Sequence, residues 1–198
     1  MQYYALVAQH NTGKVLVFKK RTHGYFFHKG DSGVLSPKGE KIKEVSGAGQ
    51  WVFPGGGQEK ADKSAAAGAI REFLEETGFA LKENDAFENV KSKKFVNYQA
   101  TIFTLQEKDF TIVYQHAQQS LAAANQAVTA IQQGNITTYE QLRKQFPGAP
   151  VSNELEEVRI FDLTNPQDLK TLGDVWTVAK SLDWYREMAK NYGAKFSD

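Results

Sequence analysis

Apolar residues come in short runs near the start of the chain and at helical spacing further along, and the change of period marks the elements. Tyr3 to Ala8 is a run of strand length, the turn formers Asn11-Thr12-Gly13 follow, and Val15 to Lys19 supplies an antiparallel return. That order predicts a hairpin. Arg21 to Gln50 is rich in Gly, Lys and Ser and predicts a long exposed loop with at most short strands. Trp51-Val52-Phe53-Pro54 predicts a strand end that feeds the turn Gly55-Gly56-Gly57. Further strands are predicted over Lys94 to Tyr98, Ala100 to Leu105, Phe110 to Tyr114 and Val158 to Leu163.

The helical period appears first after the glycine turn. Ala66, Ala69, Ile70, Phe73 and Thr77 form one stripe, which predicts a helix docked on a sheet. In the Gln/Ala-rich segment Gln115 to Gly134, Leu121, Ala124, Val128 and Ile131 recur at intervals of three and four. A second short helix is predicted to start at Thr137 or Thr138, where Thr137 and Glu140 have capping-box spacing, and to end before Pro147. Together these make a helical insertion over 115–147, to be read as a cover on the sheet, a lid over a substrate, or a homodimer contact. Asp174 to Tyr192 carries Val175, Val178, Leu182, Tyr185, Ala189 and Tyr192 on one face and predicts a closing amphipathic helix. Strands on both sides of a helix argue for an α/β fold in a single domain spanning 1–198.

Composition narrows the chemistry. The chain has 198 residues, 41% of them apolar, enough for a full core, and its net charge of +1 gives no general case for nucleic acid. It has no cysteine, which excludes disulfides, thiol nucleophiles and cysteine-based zinc sites. No stretch approaches the ~20 apolar residues of a spanning helix, and the first ten residues lack the basic start of a signal peptide. The expectation is a cytoplasmic protein with no membrane partner.

The chemistry concentrates in Arg71-Glu72-Phe73-Leu74-Glu75-Glu76-Thr77-Gly78. With Glu72 at 0° on a helix, Glu75 falls near about 300° and Glu76 near about 40°, so three carboxylates share a side. Like charges so placed repel by a few tenths of a kcal/mol per pair, and a compensating cation is expected. A hard divalent ion is the natural choice, against the plainer alternative of a solvated acidic face. Ala65 and Gly68 fall between the acids and predict open space beside them. Arg71 stands one turn before Glu75 and can brace it.

The segment Gly57 to Phe79 resembles the signature of the Nudix hydrolases: glycine, five residues, glutamate, seven residues, then Arg-Glu-apolar-x-Glu-Glu-x-Gly-apolar. Gly57, Arg71, Glu72, Phe73, Glu75, Glu76, Gly78 and Phe79 match. Lys63 departs from the pattern's glutamate, and Asp62 next to it is the acid able to pair with Arg71 instead. The resemblance implies an α/β/α sandwich with a mixed β-sheet. It also implies a pyrophosphohydrolase that uses Mg2+ or Mn2+ to cut a phosphoanhydride bond in a nucleoside di- or triphosphate derivative. By the same resemblance Glu75, Glu76 and a backbone carbonyl at Gly56 or Gly57 are metal ligands, and Glu72 is a ligand or a base that helps deprotonate the water, the choice of base among the acids being open. A further acid in this family precedes the last strand. Glu154 matches its placement, with Glu156 and Glu157 as alternatives or all three as solvent-facing charges. The alternative function is a weakened Nudix module that binds a nucleotide or a partner protein without turnover.

Other residues carry weaker signals. Lys19, Lys20 and Arg21 either steer phosphates or form a solvated strand end. His23, Tyr25, Phe26, Phe27 and His28 either stack on a base or pack on their own domain. His10 and His116 have no partner that suggests catalysis. Tyr98 resembles a tyrosine of dinucleoside-polyphosphate relatives, yet an aromatic in a strand is ordinarily core. No Gly-Lys-Ser/Thr follows the glycine turn, so a P-loop is excluded.

Overall fold

The computed structural model describes residues 1–26, 47–177 and 182–196. Seven strands among these residues form one mixed sheet. β1 (Gln2–Gln9) lies at its centre because its side chains have apolar partners on both faces. It pairs in parallel with β6 (Tyr98–Leu105), from Gln2 against Tyr98 to Gln9 against Leu105. It also pairs antiparallel with β2 (Lys14–Phe26) and with β4 (Gly55–Gly57), while β5 (Ala86–Lys91) extends the sheet beyond β6. β3 (Trp51–Val52) and β7 (Ser152–Asp162) occupy the two edges of β2. The predicted hairpin is present, and Asn11 takes the left-handed turn conformation at φ 56°.

Neighbouring residues of β1 show the layering. Tyr3 faces helix α1 (Ala65–Thr77), where its ring fills the notch left by Gly68. Tyr4 faces the other way and meets Trp184 and Tyr185 of α5 (Asp183–Tyr192) with ring centroids 5.8 and 5.6 Å apart. The sheet is therefore sandwiched between α1 and the pair formed by α4 (Pro166–Thr177) and α5, an α/β/α arrangement as expected. α1 starts on Ser64, whose hydroxyl accepts from the Ala67 N–H, and stops at Gly78, which adopts φ 73°.

Several sequence expectations change. Phe110 to Tyr114 is not a strand. It belongs to α2 (Glu107–Gln132), because Phe110 and Val113 extend the buried stripe of Ala117, Leu121, Ala124, Val128 and Ile131. Packing overrides the β preference of the Phe-Thr-Ile-Val-Tyr run. Lys94 to Asn97 is turn, and only Tyr98 enters a strand. The strand begun at Val15 runs on to Phe26 where a loop was expected from Arg21, and the remainder of that loop lies outside the described residues.

α3 (Tyr139–Gln145) is capped by Thr138 with Gln141, one position beyond the Thr137–Glu140 pair. The closing helix is two helices. α4 starts at Pro166 behind Asn165, whose Oδ1 accepts from the Gln167 N–H at 2.8 Å, and α5 restarts at Asp183. Val178 lies outside the described residues. α2 packs along β7 and onto the end of α1, with His116 Nε2 3.1 Å from the Gly78 carbonyl and Ser120 bonded to the Thr77 carbonyl. Among the described residues no helix is long and apolar enough to cross a membrane.

Candidate active site

The acids of α1 do not lie on a solvated face. Glu72 and Glu76 are buried with Ala66, Ala69, Phe73 and Thr77, being 8% and 2% exposed, whereas Glu75 is half-buried and Leu74 exposed. The stripe predicted to dock on the sheet does so, but Gly68 leaves no open space beside the acids, because Tyr3 occupies it. Room for Glu72 comes from Gly56, where an added Cβ would sit 2.6 Å from Glu72 Oε2. The glycine turn and the acidic helix therefore fit each other atom against atom.

Arg71 ties the turn to the helix. Its Nη2 donates to the Gly57 carbonyl at 2.7 Å, and its Nε and Nη2 take Asp62 at 3.1 and 3.0 Å. Nη1 stands 2.8 Å from Glu72 Oε1 and 3.3 Å from Glu75 Oε2. Asp62 thus braces the arginine beside Lys63, as expected, and the arginine's hydrogen bonds hold the Asp62 carboxyl below its ordinary range. The Gly57 carbonyl is engaged by Arg71, whereas Gly56 pairs with Tyr3 in the sheet.

On the opposite side of the acids stands Lys20, 7% exposed, whose Nζ donates to Glu154 Oε2 at 2.9 Å. The lysine is no solvated strand end. Burial alone would discharge it, but Glu76 and Glu154 outweigh that and hold the ammonium above its ordinary pKa. Glu76 accepts from the Gly55 N–H at 3.2 Å, and its burial raises its pKa well above the usual value. Burial likewise lifts Glu72 to about 7, with Arg71 pulling down and Glu75 and Glu154 pushing up.

Glu154 reaches this group through a break in strand register. Lys19 pairs with Glu157 and Lys20 with Leu155, so Glu156 is an extra residue in β7, and the next matched pair is Tyr25 with Asn153. Asn125 of α2 donates to the Glu156 carbonyl at 3.2 Å. Glu156 itself pairs with Lys19 at 3.3 Å and Glu157 with Arg159, so of the three candidates Glu154 alone joins the α1 acids. Arg21 turns away to Asn153 and Asn125.

The donor set suits a hard divalent ion: carboxylate oxygens of Glu72, Glu76 and Glu154 that sense one another's charge beneath a glycine turn. Among the described residues, however, no three acids close into a ready coordination cage. The cations gripping them are Arg71 and Lys20, and Lys20 is the member that sequence reasoning left among weaker signals. Tyr98 stacks on Tyr4 with centroids 5.7 Å apart and is a core residue. His116 caps α1 rather than entering the site. The aromatic side chains from His23 to His28 lie outside the described residues.

The description of the NUDIX domain matches residues 9–185. No curated protein matches the chain in sequence. Among solved structures, a MutT from Methanosarcina mazei is 22% identical, with a TM-score of 0.30 over 52% of this chain and 59% of its own. A MutT from work on Aliivibrio salmonicida and Vibrio cholerae is 17% identical, with a TM-score of 0.30 over 52% and 61%. A C. elegans Ap4A hydrolase is 10% identical, with a TM-score of 0.43 over 98% and 100%. The match thus spans under two thirds of either MutT. The family assignment rests on the domain match alone.

Proposed function

This chain belongs to the Nudix family, a family of pyrophosphohydrolases, and we propose that it hydrolyses a phosphoanhydride bond in a nucleoside di- or triphosphate derivative with Mg2+ or Mn2+. The observation that carries this reading is the burial of Glu72 and Glu76 with Glu154 under the Gly55–Gly57 turn. Burying carboxylates costs several kcal/mol each, and grouping three of them so close around two cations is the arrangement a divalent ion would complete.

Glu72, Glu76 and Glu154 would hold the ion, with Glu75 at the margin and a carbonyl of Gly56 or Gly57 beside them. Such an ion neutralises phosphate charge and lowers the pKa of a bound water. Burial lifts Glu72 to about 7, and its place beside Arg71 and Glu75 at the edge of the glycine turn makes it the candidate to take a proton from the attacking water. Arg71 fixes the glycine turn relative to Glu72 and Glu75, which sets where the phosphates sit.

A panel of dNTPs, oxidised nucleotides, nucleotide sugars and dinucleoside polyphosphates, incubated with each metal, tests the reading by release of phosphate or pyrophosphate. Turnover of at least one member and its loss in Glu76→Gln is the expected result. The second reading, a module that binds a nucleotide without turnover, is favoured by the hold that Lys20 and Arg71 have on the acids. Binding by calorimetry with no product from any nucleotide would select it.

A further inference from the structure

The acid cluster carries its own cation. Lys20 extends from β2 with the same parity as Phe18, whose ring packs edge-on against Phe73 of α1 at 5.8 Å, and this brings its ammonium to the acids of the next helical turn. There it donates to Glu154 at 2.9 Å and is felt by Glu76 and by the hydroxyl of Tyr4. A lysine this deep has given up its hydration, and the Glu154 carboxylate is the partner that faces it at hydrogen-bond distance. The carboxylate oxygen that Lys20 occupies belongs to the acid that β7 contributes to the proposed metal set.

We propose that Lys20 is a built-in competitor of the divalent ion: the ion enters by taking Glu154 from the Lys20 ammonium, so Lys20 sets how tightly the metal binds. This rests on the metal-dependent reading above and goes beyond it. A divalent ion that seeks the Glu154 oxygen held by Lys20 must either displace the ammonium or sit beside it against the repulsion of two cations a few ångströms apart, so the lysine weakens the ion's hold on that carboxylate. Arg71 also touches the set, at Glu72 and Glu75, but it is fixed in place. It is bound to the Gly57 carbonyl and bidentately to Asp62, so it is anchored away from Glu154. Among the described residues Lys20 has one hydrogen-bonded carboxylate partner, Glu154, and its stem is flexible.

The test is calorimetric titration of Mn2+ into the whole chain, as wild type, Lys20→Met, Lys20→Arg and Glu76→Gln, at one pH and ionic strength. Lys20→Met is expected to bind Mn2+ about tenfold more tightly, whereas Lys20→Arg, which keeps the charge, stays within about threefold of wild type. Equal or weaker binding by a folded Lys20→Met overturns the proposal, even though the metal-dependent reading stands if wild type binds and Glu76→Gln does not. Uptake by none of the proteins overturns both.

Lys20→Met exposes Glu154 and Glu76 to each other, so circular dichroism must show it folded. If it is not, the wild type decides. With 13C-lysine labelling and Mg2+ in place of Mn2+, the Lys20 Cε signal, assigned by its loss in Lys20→Arg, is expected to shift with the same midpoint as metal uptake. A Lys20 signal that stays fixed at saturating Mg2+ overturns the proposal.

Discussion

Gly68→Ala sets two physical effects against each other, and the structure decides the sign. In an exposed helix interior the change would stabilise by about 1 kcal/mol, because alanine is the better helix former. Here the new Cβ would lie 2.1 Å from Tyr3 Cδ2, 2.8 Å from Cγ and 2.9 Å from Cε2. Carbon atoms prefer about 3.5–4.0 Å, so the ring must move by more than an ångström. It cannot do so by swivelling, since Cγ lies on the rotation axis and is itself too close.

The backbone of β1 must therefore give, yet Tyr3 is paired with Gly56 on one side and Gln99 on the other. Overpacking costs about 1–3 kcal/mol, and a clash at the root of a buried ring belongs at the upper end. Subtracting the propensity gain leaves a loss of about 2 kcal/mol, which for a chain of this size lowers Tm by roughly 4–8 °C. Differential scanning calorimetry at neutral pH reads it directly. A Tm equal to or above wild type would show that Tyr3 does not fill the notch. Because Tyr3 pairs with Gly56, the variant should also bind Mn2+ more weakly than its stability loss alone explains.

The remaining expectations concern the site and its supports. Glu72→Gln removes the group suited to general-base work and should lower kcat by on the order of 10²–10⁴ with KM little changed, read by steady-state phosphate release. Gly56→Ala drives a methyl against both Glu72 oxygens, at 2.6 and 2.7 Å, and should abolish metal uptake in calorimetry while the far-UV spectrum is retained. Asp62→Asn should show a pH signature in thermal melts. Arg71 holds the Asp62 carboxyl below its ordinary range, so its stabilisation is whole above the unfolded value of about 3.9 and drains as pH falls through the lower folded value. The variant should therefore trail wild type by about 2 kcal/mol at pH 6 and converge with it toward pH 2. Thr138→Ala removes the cap of α3 and should cost about 1 kcal/mol in denaturant unfolding, leaving turnover unaltered.

What could be read from the chain and what could not divide along a physical line. The helix from Ala65, its stop at Gly78 and the hairpin depend on residues close in sequence, and their periods and turn residues announce them, whereas the brace of Arg71 by Asp62 is legible only through the resemblance of the motif to the Nudix signature. Phe110 to Tyr114 has strand-forming composition over five residues, yet Phe110 and Val113 belong to a helical stripe that continues to Ile131, and the longer period prevails. The cap of α3 was misplaced by one because Thr137 and Thr138 both have an acceptor-bearing residue three positions on. Only the fold shows that Gln141 answers Thr138. The break before α5 hides in a face pattern that runs smoothly through Leu182. The stronger marker was Asn165-Pro166, a cap and a first-turn proline that start a separate helix.

The site divides in the same way, and Lys20 shows where a better signal lay. Charge alone groups it with Lys19 and Arg21 as one basic strand end, although strand alternation sends Lys20 to the face opposite the other two. Lys19 meets Glu156, Arg21 meets Asn153 and Asn125, and Lys20 follows the parity of Leu16 and Phe18 into the core. The run Val15 to Phe18 is apolar at both parities, so counting by twos does not separate Lys20 from Lys19, but a lysine that continues such a strand enters packed surroundings where an unpaired ammonium is not tolerated. That implies an acid opposite it before any coordinates exist. The acid itself could not be found so. Glu154 reaches Lys20 only because β7 holds an extra residue at Glu156, and no composition rule locates a bulge. Deleting Glu156 makes Glu157 and Leu155 consecutive opposite Lys19 and Lys20, and the local kink that carries Glu154 to Lys20 is lost. The expected result is loss of Mn2+ uptake, with a Tm shift no larger than that of a surface deletion. Unimpaired uptake would show that the bulge does not aim the acid.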